Sequence, residues 1–345
     1  MIFLNRRDFI ARTGVIASSI WLNASHGGSF LAQELDSDGS GHRVRFGSTD
    51  LLVSRLCQGT AFAHGSADRE QPAQDVFRRC LDIGINFFDS SNMYGWGNSE
   101  IALGKAIKGY PRDRLVICTK VWPGTRSTGF FSRRKAIQPA AVTREFATEA
   151  LEGSLGRLGT DYVDLYMLHA QDQSTSLENL VETMDSLVRA GKVRYWGVSN
   201  HTGEQVKELV HLCQSRRKAQ ISGTQDPYNL IHRKAESYLF PQLREAGIGL
   251  MAYSPLAGGQ LAAGKDAMPD SAVSRVLAEL DHVASDLQVS RTQVAIAWAL
   301  SRPEVTSVIA GSRKIEHVDE NFAGAHLELP VDAIRSLNAA SESFM

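Results

Sequence analysis

Tyr162-Val-Asp-Leu-Tyr-Met-Leu-His169 is followed by Leu177-Glu-Asn-Leu-Val-Glu-Thr-Met-Asp-Ser-Leu-Val188 and then by Arg194-Tyr-Trp-Gly-Val-Ser199. The outer runs are short, apolar and rich in β-formers. The middle run places Leu177, Leu180, Val181, Met184, Leu187 and Val188 at i, i+3, i+4 spacing, and Gly191 stops it. This is one strand–helix–strand unit, and such units wind right-handed into parallel sheets. The pattern repeats outward in both directions. Candidate strands are Leu56–Gly59, Ile85–Asp89, Leu115–Lys120, Tyr162–His169, Arg194–Ser199, Ile221–Gln225, Gly249–Tyr253 and Thr306–Ala310. Val142–Leu158 is a further helical run, and Gly84, Gly159 and Gly247 stand at other helix ends. Alternating units without a second domain's worth of chain favour a closed (β/α)8 TIM barrel over an open doubly wound sheet. Arg43–Val53, folding back around Gly47, reads as an N-terminal β-hairpin before the first barrel strand.

The composition agrees with a soluble globular domain: 345 residues, 43% hydrophobic and 22% charged. Lys and Arg number 37 against 38 Asp and Glu, so nothing in the charge balance points to nucleic acid. Cys57, Cys80, Cys118 and Cys213 are too scattered for a disulfide framework and read as reduced, buried residues. No histidine pair has a recognised metal-ligand spacing, so no metal is expected.

The N-terminus reads as an address. Arg6-Arg7-Asp-Phe9-Ile10 precedes an uncharged stretch that runs from Arg12 to Glu34 and contains Ala24, Ser25 and Ala32. It resembles a bacterial twin-arginine (Tat) signal. Serine, asparagine and glycine dilute the stretch below what a stable membrane span needs. We therefore expect a Tat-type signal peptide at 1–32, a linker at 33–41 and the barrel at 42–345. The Tat export machinery is then a partner, and the location is periplasmic or otherwise exported, or cytoplasmic if export is inefficient. The sequence carries no reading of oligomeric state.

A barrel puts its chemistry at the C-terminal strand ends. Those ends carry Asp89 with Tyr94 five residues on, then Lys120, His169, Ser199-Asn200, Gln225 and Tyr253. A phenol with a pKa of about 10 is a poor acid near neutrality, and an adjacent ammonium lowers that value. Asp89 would hold Lys120 charged, and His169 would bond a substrate oxygen or tune the phenol. A proton donor beside a polarised carbonyl suits carbonyl reduction.

Several ordered motifs now make a resemblance specific. They are Asn86-Phe-Phe-Asp89-Ser-Ser-Asn-Met-Tyr94-Gly95, Cys118-Thr-Lys120, Asp164-Leu-Tyr-Met-Leu-His169, Gly197-Val-Ser199-Asn200, Gln225-Asp-Pro-Tyr-Asn229, Tyr253-Ser-Pro-Leu-Ala-Gly-Gly-Gln-Leu261, Ile309-Ala-Gly311-Ser312-Arg313 and Glu320-Asn321. Over residues 43–340 the chain resembles an aldo-keto reductase. The resemblance implies an NAD(P)H-dependent oxidoreductase that interconverts aldehydes or ketones and alcohols by hydride transfer. It implies a catalytic set of Asp89, Tyr94, Lys120 and His169, with Tyr94 as general acid. It assigns Ser199, Asn200 and Gln225 to the nicotinamide carboxamide and Tyr253 to stacking on the nicotinamide. Ser254, Pro255, Leu256 and Gly258 pass over the pyrophosphate. Gly311, Ser312 and Arg313 take the adenosine phosphate, with Asn321 near the adenine. The substrate is a small carbonyl or alcohol compound.

Gly311-Ser-Arg-Lys314 also reads unaided as an anion site before a helix starting near Ile315. Two cations there favour NADP(H) over NAD(H), although His317 stands where many family members carry Arg or Gln. Gly259–Asp266 mimics a phosphate-binding loop but ends in Asp266 where a hydroxyl is required. Two other functions compete: a nicotinamide-binding regulatory subunit with slow turnover, and a Schiff-base lyase using Lys120. Trp96 and Trp122 are candidate pocket walls. Pro123–Pro139 reads as a charged loop carrying Arg126, Arg133, Arg134 and Lys135.

Overall fold

The computed structural model describes residues 34–35, 42–62, 70–126, 137–263 and 271–345. The expected signal peptide and, of the expected linker, Gln33 and residues 36–41 lie outside them. The strands are β1 (Glu34–Leu35), β2 (His42–Arg45), β3 (Leu52–Ser54), β4 (Leu56–Gly59), β5 (Phe87–Asp89), β6 (Val116–Val121), β7 (Gly124–Arg126), β8 (Ile137–Pro139), β9 (Val163–Leu168), β10 (Val193–Ser199), β11 (Ile221–Pro227), β12 (Gly249–Tyr253) and β13 (Val305–Ala310). The helices are α1 (Glu70–Asp82), α2 (Asn98–Ile107), α3 (Arg144–Leu158), α4 (Leu177–Arg189), α5 (Gly203–Ser215), α6 (Ala235–Tyr238), α7 (Phe240–Ala246), α8 (Gln260–Ala263), α9 (Ala272–Leu287), α10 (Arg291–Leu300), α11 (Ile315–Ala325) and α12 (Val331–Ala340).

Strands β4, β5, β6, β9, β10, β11, β12 and β13 close in that order into a parallel barrel, with β13 pairing back to β4. All eight expected barrel strands are present, with ends shifted by at most two residues. The expected stop glycines adopt the left-handed backbone: Gly84 at φ 88°, Gly159 at 67°, Gly191 at 74° and Gly247 at 65°. Thr143, Ser176, Thr202 and Ser290 cap helices by accepting a backbone N–H three residues on.

The hairpin β2–β3 is present, and it gains a third strand. Glu34–Leu35, from the segment read as a linker, pairs with β2. The loop read at Pro123–Pro139 also departs from expectation. Its two ends pair as the antiparallel ribbon β7–β8. Neither short pairing carries a period-2 apolar signal, which is why sequence pattern missed both.

Two apolar layers hold the barrel. The larger lies between strands and helices and includes Trp196, Trp298, Phe77 and Leu151. The smaller fills the lower barrel and joins Val44, Phe46, Leu51 and Val53 of the hairpin to Phe87, Leu165, Met167 and Met251. Phe46 is fully buried, edge-on to Phe87 at 5.9 Å. A Cβ at Gly223 or Gly249 would come within 2.9 Å of the Phe46 ring, so both positions need glycine for the plug to seat. Asp50 in the hairpin turn accepts from Arg194 at 2.8 Å and from the Tyr195 hydroxyl at 2.9 Å, but these groups are largely exposed. All four cysteines are free and buried.

Burial, not the ion pair, should therefore anchor the hairpin. Phe46→Ala is expected to cost about 3–5 kcal/mol in denaturant unfolding. Asp50→Ala should cost less than about 1 kcal/mol.

Candidate active site

The lower barrel is packed, and the upper barrel is polar. Asp89 closes β5, Lys120 is the penultimate residue of β6, and His169 follows β9 directly. Tyr94 opens a turn, Tyr94–Gly97, in which Gly95 and Trp96 both take a left-handed backbone at φ 58°, and the turn leads into α2. Lys120 is fully buried, yet its ammonium has three partners. Its Nζ donates to Asp89 Oδ2 at 2.7 Å, to the Ser90 carbonyl at 2.8 Å and to the Tyr94 hydroxyl at 3.3 Å. The other Asp89 oxygen accepts from Gln225 Nε2 at 2.9 Å. His169 lies edge-on to both Tyr94 and Trp122, at 5.5 and 5.1 Å between ring centres.

Burial and charge oppose one another here. Burial alone would discharge Lys120, but the Asp89 carboxylate, with smaller contributions from Tyr94 and Cys118, outweighs it and the ammonium pKa rises. For Tyr94 the balance goes the other way. Burial outweighs the lowering effect of Lys120, so the phenol is pushed above its ordinary value. The ammonium acts in the expected direction, but burial reverses the net shift: the hydroxyl is held as a proton donor, not as a phenolate. Burial and then Lys120 push His169 down to about 3, so the imidazole is neutral near pH 7.

Above this group opens a cavity of about 800 Å³ that runs from Tyr94 and His169 to the start of α11. Asp89, Ser199, Asn200, Gln225, Tyr253, Ser254, Pro255, Leu256, Gly258, Gly311, Arg313 and Asn321 all line it. Two expected residues stand behind its wall. Lys120 reaches it through Tyr94, and the buried Ser312 accepts from Asn321 Nδ2 at 3.1 Å. Asn200 is a hub. Its Nδ2 donates to the His169 carbonyl at 3.1 Å and to Ser199 Oγ at 2.9 Å, and its Oδ1 accepts from the Tyr253 hydroxyl at 2.8 Å. Three non-glycine residues around this wall hold positive φ: Asn200 at 60°, Ser254 at 55° and Ala257 at 48°. Such strain clusters at functional sites. Asn229 Nδ2 steadies Ser254 by donating to its carbonyl at 2.9 Å.

The wall fits a long, phosphate-bearing ligand. A Cβ on Gly258 or Gly259 would meet nothing within 4 Å, and one on Gly311 only the Gly59 carbonyl at 3.9 Å. Bare backbone therefore faces open space at three points. At the far end Arg313 and His317 border the cavity beside the N-terminus of α11.

Gly59, Ala61, Gly259, Thr292 and Glu320 also line the cavity, and the sequence assigned none of them a role there. Gly59 and Ala61 follow the rule of strand ends and were findable. Thr292 opens α10, the last helix of the long crossover from β12 to β13 and 39 residues beyond Tyr253 at the end of β12, so no local signal marks it. Trp96 is 41% exposed on the turn after Tyr94, and Trp122 touches His169. Residues 127–136, with Arg133, Arg134 and Lys135, lie outside the described residues.

Comparison with known proteins now decides the family. The sequence pattern of the Aldo/keto reductase family matches residues 55–342. The chain belongs to that family. It is 33% identical to the uncharacterized oxidoreductase YrpG of Bacillus subtilis, covering 85% of this chain and 93% of that one. It is 31% identical to a probable voltage-gated potassium channel subunit beta of Arabidopsis thaliana, covering 80% and 88%. A solved thermostable aldo-keto reductase in complex with the inhibitor epalrestat superposes with a TM-score of 0.74 at 27% identity, covering 86% and 99%. This aldo-keto reductase barrel thus joins a fold and a family shared by oxidoreductases and by channel-associated proteins.

One buried group near the site forms no ion pair among the described residues. Asp226 alternates with Gln225 on β11 and is 2% exposed. Burial pushes its carboxyl up to about 7, against a smaller lowering by the Asn200 N–H. The native state then binds this proton more tightly than the unfolded chain does. The stability it carries is complete below about pH 4 and is lost as pH rises to about 7. Asp226→Asn should leave stability nearly unchanged at pH 4 and raise it at pH 8 by on the order of 4 kcal/mol, read by thermal unfolding across the pH range.

Proposed function

We propose that this family member is an NADPH-dependent carbonyl reductase with Tyr94 as its general acid. The observation that carries the reading is the Tyr94 hydroxyl, 3.3 Å from a buried ammonium that Asp89 keeps charged, at the floor of a glycine-lined cavity. A bound nicotinamide cofactor supplies the hydride. As a substrate carbonyl is reduced, negative charge gathers on its oxygen, and Tyr94 delivers its proton there. Lys120 then faces the phenolate left behind, so the charge never stands alone in the buried site. His169 contributes as a neutral hydrogen-bonding group. Ser199, Asn200 and Gln225 are suited to an amide, and Tyr253 to a flat ring. Arg313 and Lys314 beside the α11 N-terminus favour a 2′-phosphate, hence NADP(H) before NAD(H).

Lys120 is a poor candidate for Schiff-base chemistry because its nitrogen stays protonated and engaged by three partners. The likeness to a channel subunit supports a second reading, in which cofactor is bound tightly and turned over slowly. Residues 1–32 are proposed as a Tat signal on the strength of Arg6-Arg7 and the uncharged run after Arg12. That route carries folded proteins, so the cofactor would be loaded before export.

Two measurements test these readings. The chain lacking residues 1–32 should oxidise NADPH, and NADH more slowly, with an activated aromatic aldehyde. Tyr94→Phe should cut kcat about a hundredfold or more while NADPH still binds. Tight binding without turnover in the parent would favour the second reading. Separately, residues 1–32 fused to a folded reporter should direct its export, and Arg6→Lys with Arg7→Lys should keep the reporter in the cytoplasm.

A further inference from the structure

Ser91 is fully buried two residues after Asp89, and its hydroxyl oxygen lies 2.9 Å from His169 Nδ1. The same oxygen accepts from the Met93 backbone N–H at 3.2 Å. The turn around it is rigid: the Ser91 carbonyl accepts from the Tyr94 N–H at 3.1 Å, and Asn92 Oδ1 accepts from the Trp122 N–H at 3.3 Å. His169 is equally confined. Its backbone N–H donates to the Val121 carbonyl, and the Tyr94 and Trp122 rings flank its imidazole.

A neutral imidazole has one N–H, and a serine hydroxyl has one hydrogen to give. If His169 carried its proton on Nδ1, Ser91 Oγ would accept two N–H groups. Its own hydrogen would then be buried with no acceptor among the described residues, and an unmade buried hydrogen bond is costly. If Ser91 donates to Nδ1, every polar atom of the pair is satisfied. The ring proton must then sit on Nε2, which has no protein partner among the described residues, and His169 borders the cavity.

We propose that Ser91 is a positioning residue that locks His169 in the Nε2–H tautomer, presenting a neutral hydrogen-bond donor to a substrate oxygen beside the Tyr94 hydroxyl. The tautomer follows from the hydrogen-bond count alone. Its catalytic consequence rests on the carbonyl-reductase reading above. The device separates two roles: Tyr94 gives the proton, and His169 gives only a hydrogen bond, because its proton has no relay through Ser91.

The test is nitrogen NMR of 15N-histidine protein at pH 7, with the His169 signals identified by their loss in His169→Gln. The parent should show a pyridine-type Nδ1 and a pyrrole-type Nε2. Ser91→Ala should shift His169 toward a mixture or toward Nδ1–H, lower kcat for the aldehyde about tenfold or more and leave NADPH affinity within twofold. Ser91→Thr, which keeps the hydroxyl, should restore both the spectrum and kcat. A pyrrole-type Nδ1 in the parent overturns the proposal, and so does an unaltered tautomer in folded Ser91→Ala. The parent spectrum decides the matter even if Ser91→Ala fails to fold. Should the parent show the expected tautomer yet reduce no carbonyl compound, the tautomer assignment stands and the reductase reading falls.

Discussion

The Lys120–Asp89 pair, closed at 2.7 Å with both side chains almost wholly out of water, is the constraint that organises the upper barrel. Removing two charges from water costs several kcal/mol per ion unless their remaining hydrogen-bonding capacity is met. Here it is met. The Ser90 carbonyl and the Tyr94 hydroxyl take the other ammonium hydrogens, and Gln225 occupies the second carboxylate oxygen. Each of these groups is therefore drawn to a fixed position. Two of them, Tyr94 and Gln225, form the cavity wall. The pair thus sets the geometry of the site as well as its charge.

The rest of the electrostatics follows from that buried cation. Burial and the nearby ammonium both hold His169 neutral, while for Tyr94 burial outweighs the ammonium and keeps the phenol protonated. Beside the satisfied ion pair, Tyr94 and His169 both face the cavity as neutral groups. The strained backbone of Asn200 and Ser254 also borders the cavity, where hydrogen bonds from Tyr253 and Asn229 steady it. Strain of this kind persists only where surrounding contacts over-determine it. The packed hairpin below and the apolar layer between strands and helices provide that rigidity.

Much of this was legible in the residue order. The strand–helix alternation predicted the barrel because each strand is a short apolar run bounded by helical periodicity and stop glycines. Asp89, Tyr94, Lys120 and His169 were visible because strand ends are the part of a barrel where polar residues gather for chemistry. The pairing of Glu34–Leu35 and the β7–β8 ribbon were not visible, since two- and three-residue strands carry no measurable period. Thr292 was missed because it reaches the cavity from a helix remote in sequence from any strand end. Ser91 was quoted within a motif, yet its partner His169 lies 78 residues away, so spacing alone could not join them.

The sequence by itself determined the eight-strand barrel and which polar residues stand at its strand ends. These depend on local periodicity and on residue type at strand ends, both of which are encoded position by position. Only the tertiary structure decided the sign of the Tyr94 shift, the neutrality of His169, the burial of Asp226 and the bond from Ser91. Each of those is a balance between desolvation and a neighbour that the chain brings close only by folding. Burial depth and through-space distance fix such a balance, and neither is written in the order of residues.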